Sequence, residues 1–195
     1  APAEQADIAA TTLPVYEFTS RLCEGTGLKV TRLITESVSC LHDYSLSVRQ
    51  VRAVESADTV VVSGAGAIGN LVAQAVISRG AKKVLITDVS DLRLDIARQC
   101  GIENTLNVTK TPLRDAVKEF FGEEGFQVAF EVAGVESSVR SLMECVEKGG
   151  TVVIVAVFSK DPALSMFYLG EHELNIVGTM MYRHEDYLAT VEAVA

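Results

Sequence analysis

The chain has 195 residues, a formal net charge of −9, 48% apolar residues and no Trp. That is the length of one full α/β domain plus an extra segment, and the apolar content of a buried globular protein rather than a disordered one. The acidic balance, with no cluster of Lys or Arg, argues against a nucleic-acid backbone or an anionic membrane surface as partner. The apolar runs are strand-sized and too short to span a bilayer. Cys23, Cys40, Cys100 and Cys145 are irregularly spaced. They suit reduced thiols in a cytoplasmic protein better than a zinc knuckle or a disulfide framework. The opening "APAEQADIAATT" begins without Met and lacks the charged start and apolar core of a signal peptide, as in a processed or excised chain.

In chain order, residues 1–35 follow no clear period and are expected to form an appended segment, with the main domain over 36–195. Apolar, β-branched runs then open near Val60, Val84, Thr105, Gln127, Thr151 and Leu174, and most gaps between them hold one helix length. This alternation predicts βαβ units and a parallel sheet whose central strands are buried on both faces, as "TVVV", "KVLI" and "TVVIVAV" suggest. The first helix of the series carries a stripe of Ile68, Leu71, Val72, Ala75 and Val76, predicted to face the sheet, with Gly80 as its stop. Ser90 is placed to cap the next helix, with Leu94 and Ala97 pointing inward and Gly101 ending it. Thr111 and Pro112 start the third, Pro112 at its first helical position. The fourth runs from about Val135 to Val146 and ends at Gly149 and Gly150.

The stretch "TVVVSGAGAIGNL" sets Gly64, Gly66 and Gly69 as GxGxxG between a predicted strand and a predicted helix, with Asp88 nineteen residues after Gly69 at the end of the second strand. Those conditions distinguish a dinucleotide fingerprint from an ordinary α/β corner. Gly64 permits the tight turn, Gly66 lets backbone approach a pyrophosphate, and Gly69 lets helix and strand lie close. Amides around Ala67 and Ile68 are then offered to the phosphates by the helix N-terminus. Asp88, an acceptor-only carboxylate, suits the two hydroxyls of an adenine ribose and repels a 2′-phosphate, so NAD is expected over NADP. Arg93 is a competing phosphate ligand five residues on. The fold class expected is α/β, a Rossmann doubly wound six-stranded parallel sheet with helices on both faces.

From about Leu33 onward, "VVVSGAGAIGNLVAQAV", "VLITDVSDLRLDIARQCG", "AFEVAGV", "KGGTVVIVAVF" and "ELNIVGTMMYRHEDY" occur in order and spacing that resemble the nucleotide-binding domain of the medium-chain dehydrogenase/reductase family, the alcohol, sorbitol, butanediol and threonine dehydrogenase type. The resemblance implies that Asp88 and Arg93 flank the adenosine ribose and that Ala67 and Ile68 contact the pyrophosphate. It also sets Val132, Ala133 and Gly134, Val155 to Val157, and Thr179 with Met181 around the cofactor's far half. It implies an oxidoreductase acting by hydride transfer on an alcohol or polyol, with a zinc held by a catalytic domain absent from this chain. It further implies a homodimer, because members often pair edge strands near the sixth strand. "ITESVSCLHD" resembles the family's approach helix with one residue lost, which makes Glu36 the candidate active-site carboxylate. Met181 stands where sorbitol-type members carry an Arg.

Two other functions share the fingerprint: a regulatory NAD/NADH-sensing module and a Rossmann methyltransferase. His42, His172 and His184 match no metal-triad spacing, and neither a Tyr-x-x-x-Lys pair nor a G-x-S-x-G elbow is present. A catalytic zinc needs three protein ligands, so elemental analysis after dialysis is expected to find no stoichiometric zinc in the isolated chain. One retained zinc per chain would contradict this reading of the cysteines and Glu36.

Overall fold

The computed structural model describes residues 8–10, 13–32, 57–181, 184, 186, 188, 190 and 191. The chain divides into two compact units, Ala1–Asp43 and Tyr44–Ala195. In the first, β1 (Ile8–Ala10) and β2 (Val30–Arg32) pair in parallel, Ile8 opposite Val30. They are joined through α1 (Leu13–Leu22) and a turn in which the Thr26 hydroxyl donates to the Cys23 carbonyl at 2.7 Å. No helix among the described residues is long and apolar enough to cross a membrane.

The second unit runs β3 (Thr59–Ser63), α2 (Ala67–Ser78), β4 (Lys83–Asp88), α3 (Asp91–Gln99), β5 (Asn104–Asn107), α4 (Leu113–Phe121), β6 (Phe126–Glu131), α5 (Glu136–Cys145), β7 (Val146–Ile154), α6 (Met166–Glu171) and β8 (Asn175–Gly178). Six strands form one all-parallel sheet in the order β5-β4-β3-β6-β7-β8. The chain builds outward from β3 in one direction, then returns to lay β6 on its other side. The crevice at the carboxyl ends of β3 and β6 is therefore the topological switch point, where open α/β sheets bind ligands.

Strand periodicity sends alternate valines of β3 to opposite faces. Val61 joins Leu85, Ala129 and Val152 in one core cluster with Val117 of α4 and Leu142 of α5. Val60 and Val62 join Val84, Ile86 and Val128 in the other, with Ala73 of α2 and Leu94 of α3. Helices thus cover both faces, as the unbroken apolar runs require. Phe126 is fully buried at the start of β6, its ring centroid 5.9 Å from that of Phe121. Full burial of such a side chain contributes about 1.5–3 kcal/mol.

Several local expectations need correction. On α2, Ile68 and Leu71 are 59% and 66% exposed, and the inward face is Gly69, Asn70 and Ala73, with Val72 and Val76 packed partly against the sheet. The cause is Gly69: a Cβ there would collide with the Gly64 carbonyl oxygen and lie 2.9 Å from the Gly64 carbonyl carbon. Only this residue can face the turn so closely, and it sets the rotation of the helix. Pro112 is the N-cap of α4 rather than its first residue. Ser90 occupies the N-cap of α3 without a side-chain cap bond. Strand β7 starts directly from α5 at Val146, before Thr151, so Gly149 and Gly150 form an irregularity inside the strand instead of a helix stop. Phe126 pairs with Val146 while Val128 pairs with Thr151, and Gly149 absorbs the excess length at φ 79°.

Gly69→Ala is expected to destabilise the chain by about 3 kcal/mol or more, because backbone on both sides of the contact would have to shift. Equilibrium chemical denaturation measures this.

Candidate functional site

Strand β3 ends in a turn fixed from three directions. The Gly64 N–H donates to the Thr87 carbonyl at 2.7 Å. Gly64 has φ 107°, and a Cβ there would stand 3.0 Å from both the Val132 carbonyl carbon and the Ala133 nitrogen. Both the conformation and the space demand glycine. The Ala65 N–H donates to Oδ2 of Asp88 at 2.8 Å, while Nδ2 of buried Asn70 donates to the carbonyls of Ala65 (2.8 Å) and Gly66 (2.9 Å). Gly66 is the N-cap of α2, with no side-chain cap and nothing within 4 Å of where a Cβ would stand. The first amides of α2, at Ala67, Ile68 and Gly69, follow from this uncapped end. Such an end attracts anionic oxygens. An uncapped helix behind an open glycine fits the pyrophosphate of a dinucleotide.

Asp88 ends β4 at 7% exposure. Its Oδ1 accepts the Ser90 N–H at 2.9 Å, and Nη1 of the mostly exposed Arg93 lies 3.6 Å from Oδ2. A carboxylate has about four lone-pair sites, so the two backbone bonds leave capacity for ribose hydroxyls. The structure brings Gly64, Gly66, Asp88, Arg93, Val132 and Ala133 together around a cleft of ≈ 680 Å³ at the switch point.

Gly134, Val155, Val157, Thr179 and Met181, also expected at the cofactor, are not part of this lining. Gly134, at φ 70°, backs onto the Val157 carbonyl, with 3.0 Å from a Cβ position to that oxygen. The Val155 N–H donates to the Glu131 carbonyl at 2.9 Å, and the Thr179 N–H to the Ile154 carbonyl at 3.0 Å. Val157 and Met181 are exposed, and Met181 takes the left-handed conformation at φ 63°. Glu36, Cys40 and His42 lie outside the described residues. Among the described residues no three His, Cys, Asp or Glu side chains converge to hold a metal ion.

Sequence reasoning missed Asn70, Glu131 and the serines. Glu131 ends β6 fully buried, accepting the N–H groups of Ala133 and Gly134. Burial pushes its carboxyl above the usual range, while the Ser138 hydroxyl and the turn's amides pull it back. Ser138 Oγ lies 2.8 Å from Ser63 Oγ, to which Thr87 Oγ1 donates at 3.4 Å. The available signal was a lone Glu closing the apolar run "FQVAFE". A second hollow, ≈ 730 Å³, opens where β6 and β7 begin and is lined by Arg114, Cys145, Tyr168 and His172 among others. Burial pushes the Cys145 thiol up to about 11, which leaves it un-ionised and a poor nucleophile. That end of a parallel sheet is not the ligand end.

The family model for zinc-binding dehydrogenases matches residues 67–195. Another, for the periplasmic component A of zinc-uptake complexes, matches residues 8–117. The L-threonine 3-dehydrogenase of Marinomonas sp. is 35% identical over 128 residues, 64% of this chain and 38% of that protein. The 2R,3R-butanediol dehydrogenase of Bacillus subtilis superposes with TM-score 0.65 at 27% identity, covering 73% of this chain and 43% of the other. A zinc-binding dehydrogenase of Sinorhizobium meliloti, bound to NADP, shares the fold with TM-score 0.64 at 24% identity, covering 70% of this chain and 41% of its own. The chain thus spans about two fifths of the length of these relatives and corresponds to their nucleotide-binding part.

The raised Glu131 pKa makes a stability prediction. Its ionisation is disfavoured in the fold, so its contribution is complete below the ordinary value of 4.5 and is lost as pH rises from there through the folded value. The stability of the wild type minus that of Glu131→Gln, from urea titrations at successive pH values, is expected to be flat below 4.5 and to fall above it.

Proposed function

This chain belongs to the zinc-binding dehydrogenase family, and we propose that it serves there as the NAD(H)-binding domain of a medium-chain alcohol or polyol dehydrogenase. The observation that carries the proposal is the double engagement of Asp88. Its carboxylate holds the glycine turn through the Ala65 amide and borders the cleft where an adenine ribose would lie. A bound nicotinamide ring supplies the chemistry, accepting a hydride from a substrate alcohol.

This chain's residues do the binding and orienting. The α2 amides behind Gly66 neutralise the pyrophosphate, Asp88 accepts from the ribose hydroxyls, and the turn at Val132 and Ala133 bounds the far half of the cleft. The Lewis acid and the proton acceptor belong to a catalytic domain beyond this chain, so the pure chain is proposed to bind cofactor without turning alcohols over. A second copy paired through β8, the last strand of the sheet, belongs to the same proposal.

NADH is expected to bind the wild type much more tightly than NADPH, whose 2′-phosphate would face the carboxylate. Asp88→Asn keeps an oxygen for the Ala65 amide and removes the charge. NADH should then lose about 1.5–3 kcal/mol of affinity, the worth of a charge-assisted hydrogen bond, while Arg93 becomes available to the phosphate of NADPH. Calorimetric titration of both cofactors against both proteins measures this. Equal wild-type affinities for the two would remove Asp88 from the ribose site.

A further inference from the structure

Glu131 has no exposed surface, and the proposed division of labour gives it no task. Its surroundings are nonetheless fully organised. Oε1 accepts the N–H groups of Ala133 at 3.1 Å and Gly134 at 3.0 Å, Oε2 lies 3.2 Å from the Gly134 nitrogen, and the Ser138 hydroxyl favours the charged form of the carboxyl. The main-chain carbonyl of the same residue accepts from Val155 at 2.9 Å and Ala156 at 3.0 Å. One residue therefore fixes both the turn after β6 and the chain leaving β7.

The turn has no slack. Gly64 stands so close on one side, and the Val157 carbonyl on the other, that a single Cβ at Gly64 or Gly134 would come within 3.0 Å of backbone. With the Ala133 and Gly134 N–H groups committed to the carboxylate, carbonyl oxygens are what the turn has left to offer a ligand. These complement the N–H donors of a carboxamide. The hydroxyls of Thr87, Ser63 and Ser138 form a line from the strand that carries Asp88 to α5, where Ser138 favours the charged form of Glu131.

We infer that Glu131 is a positioning residue for the nicotinamide half of the cofactor, its buried carboxylate fixing the Val132–Gly134 turn whose Val132 and Ala133 wall that end of the cleft. The inference rests on the dinucleotide reading above. Glu131→Gln preserves shape and keeps one oxygen for the two N–H groups at Oε1, but it removes the charge and sets an N–H₂ at the Oε2 position, 3.2 Å from the Gly134 nitrogen, which loosens the turn.

The test is calorimetric titration of NADH and of AMP, which fills only the adenosine end, against wild type, Glu131→Gln and Ser138→Ala. The emission spectrum of saturating bound NADH is recorded for each. Glu131→Gln should weaken NADH by about tenfold or more with AMP within about twofold, and move the bound emission toward that of free NADH. Should that variant not fold, Ser138→Ala carries the test, with NADH weakened about threefold and AMP unchanged. Equal losses for both ligands, or unchanged NADH affinity and emission in a folded variant, would overturn the inference. A wild type that binds neither ligand would overturn the dinucleotide reading as well.

Discussion

Everything at the switch point depends on how closely backbone approaches backbone around Gly64. On one side Gly69 of α2 lies against its carbonyl, on the other the Val132–Ala133 peptide lies against its Cα, and neither approach leaves room for a methyl group. Strand β3, helix α2 and the turn after β6 are thereby locked into one arrangement. Side chains elsewhere adjust to it, including the rotation of α2 that leaves Ile68 and Leu71 in solvent. Here an atomic exclusion takes priority over the burial of two large apolar side chains, each worth up to about 1.5–3 kcal/mol.

Around this contact, two buried carboxylates hold the two turns. Asp88 takes an amide of the glycine turn and Glu131 takes two from the opposite turn, each from the last residue of its strand. The placement is economical because a carboxylate at a strand end can reach amides that no ladder bond satisfies. It also pre-forms both walls of the cleft. The Asn70 amide completes the frame by holding the two carbonyls of the glycine turn, while its own Oδ1 is buried with no hydrogen-bond partner among the described residues.

Much of this was legible in the residues. Continuous valine runs gave the parallel sheet and its two-sided burial, and the interval from Gly69 to Asp88 placed the carboxylate at the right strand end. What was not legible depends on distances between segments far apart in the chain. Hydrophobic periodicity cannot see that Gly69 must face Gly64, so it chose the wrong edge of α2. Gly149 and Gly150 read as a helix stop because left-handed glycine serves both helix ends and strand irregularities, and only the pairing of β6 with β7 separates the two. Glu131 was passed over because a lone acidic residue after an apolar run looks like the start of a loop. Its role appears only when the amides of Ala133 and Gly134 fold back onto it.

The neighbour relation between β3 and β6 also bears on how the molecule assembles. Val60 lies beside Val128, and the amides of Asp58 and Thr59 reach the Gln127 side chain across 69 and 68 residues of chain. Contacts so distant in sequence form slowly, since loop closure comes before any gain from pairing. The first half of the domain, from β3 to β5, can collapse locally while the cleft is still missing one wall. A nucleotide in the proposed cleft, which is lined from Gly64 and Asp88 on one side and Val132 and Ala133 on the other, would therefore recognise only chains in which both halves have met, and by mass action it would draw the population toward that completed state.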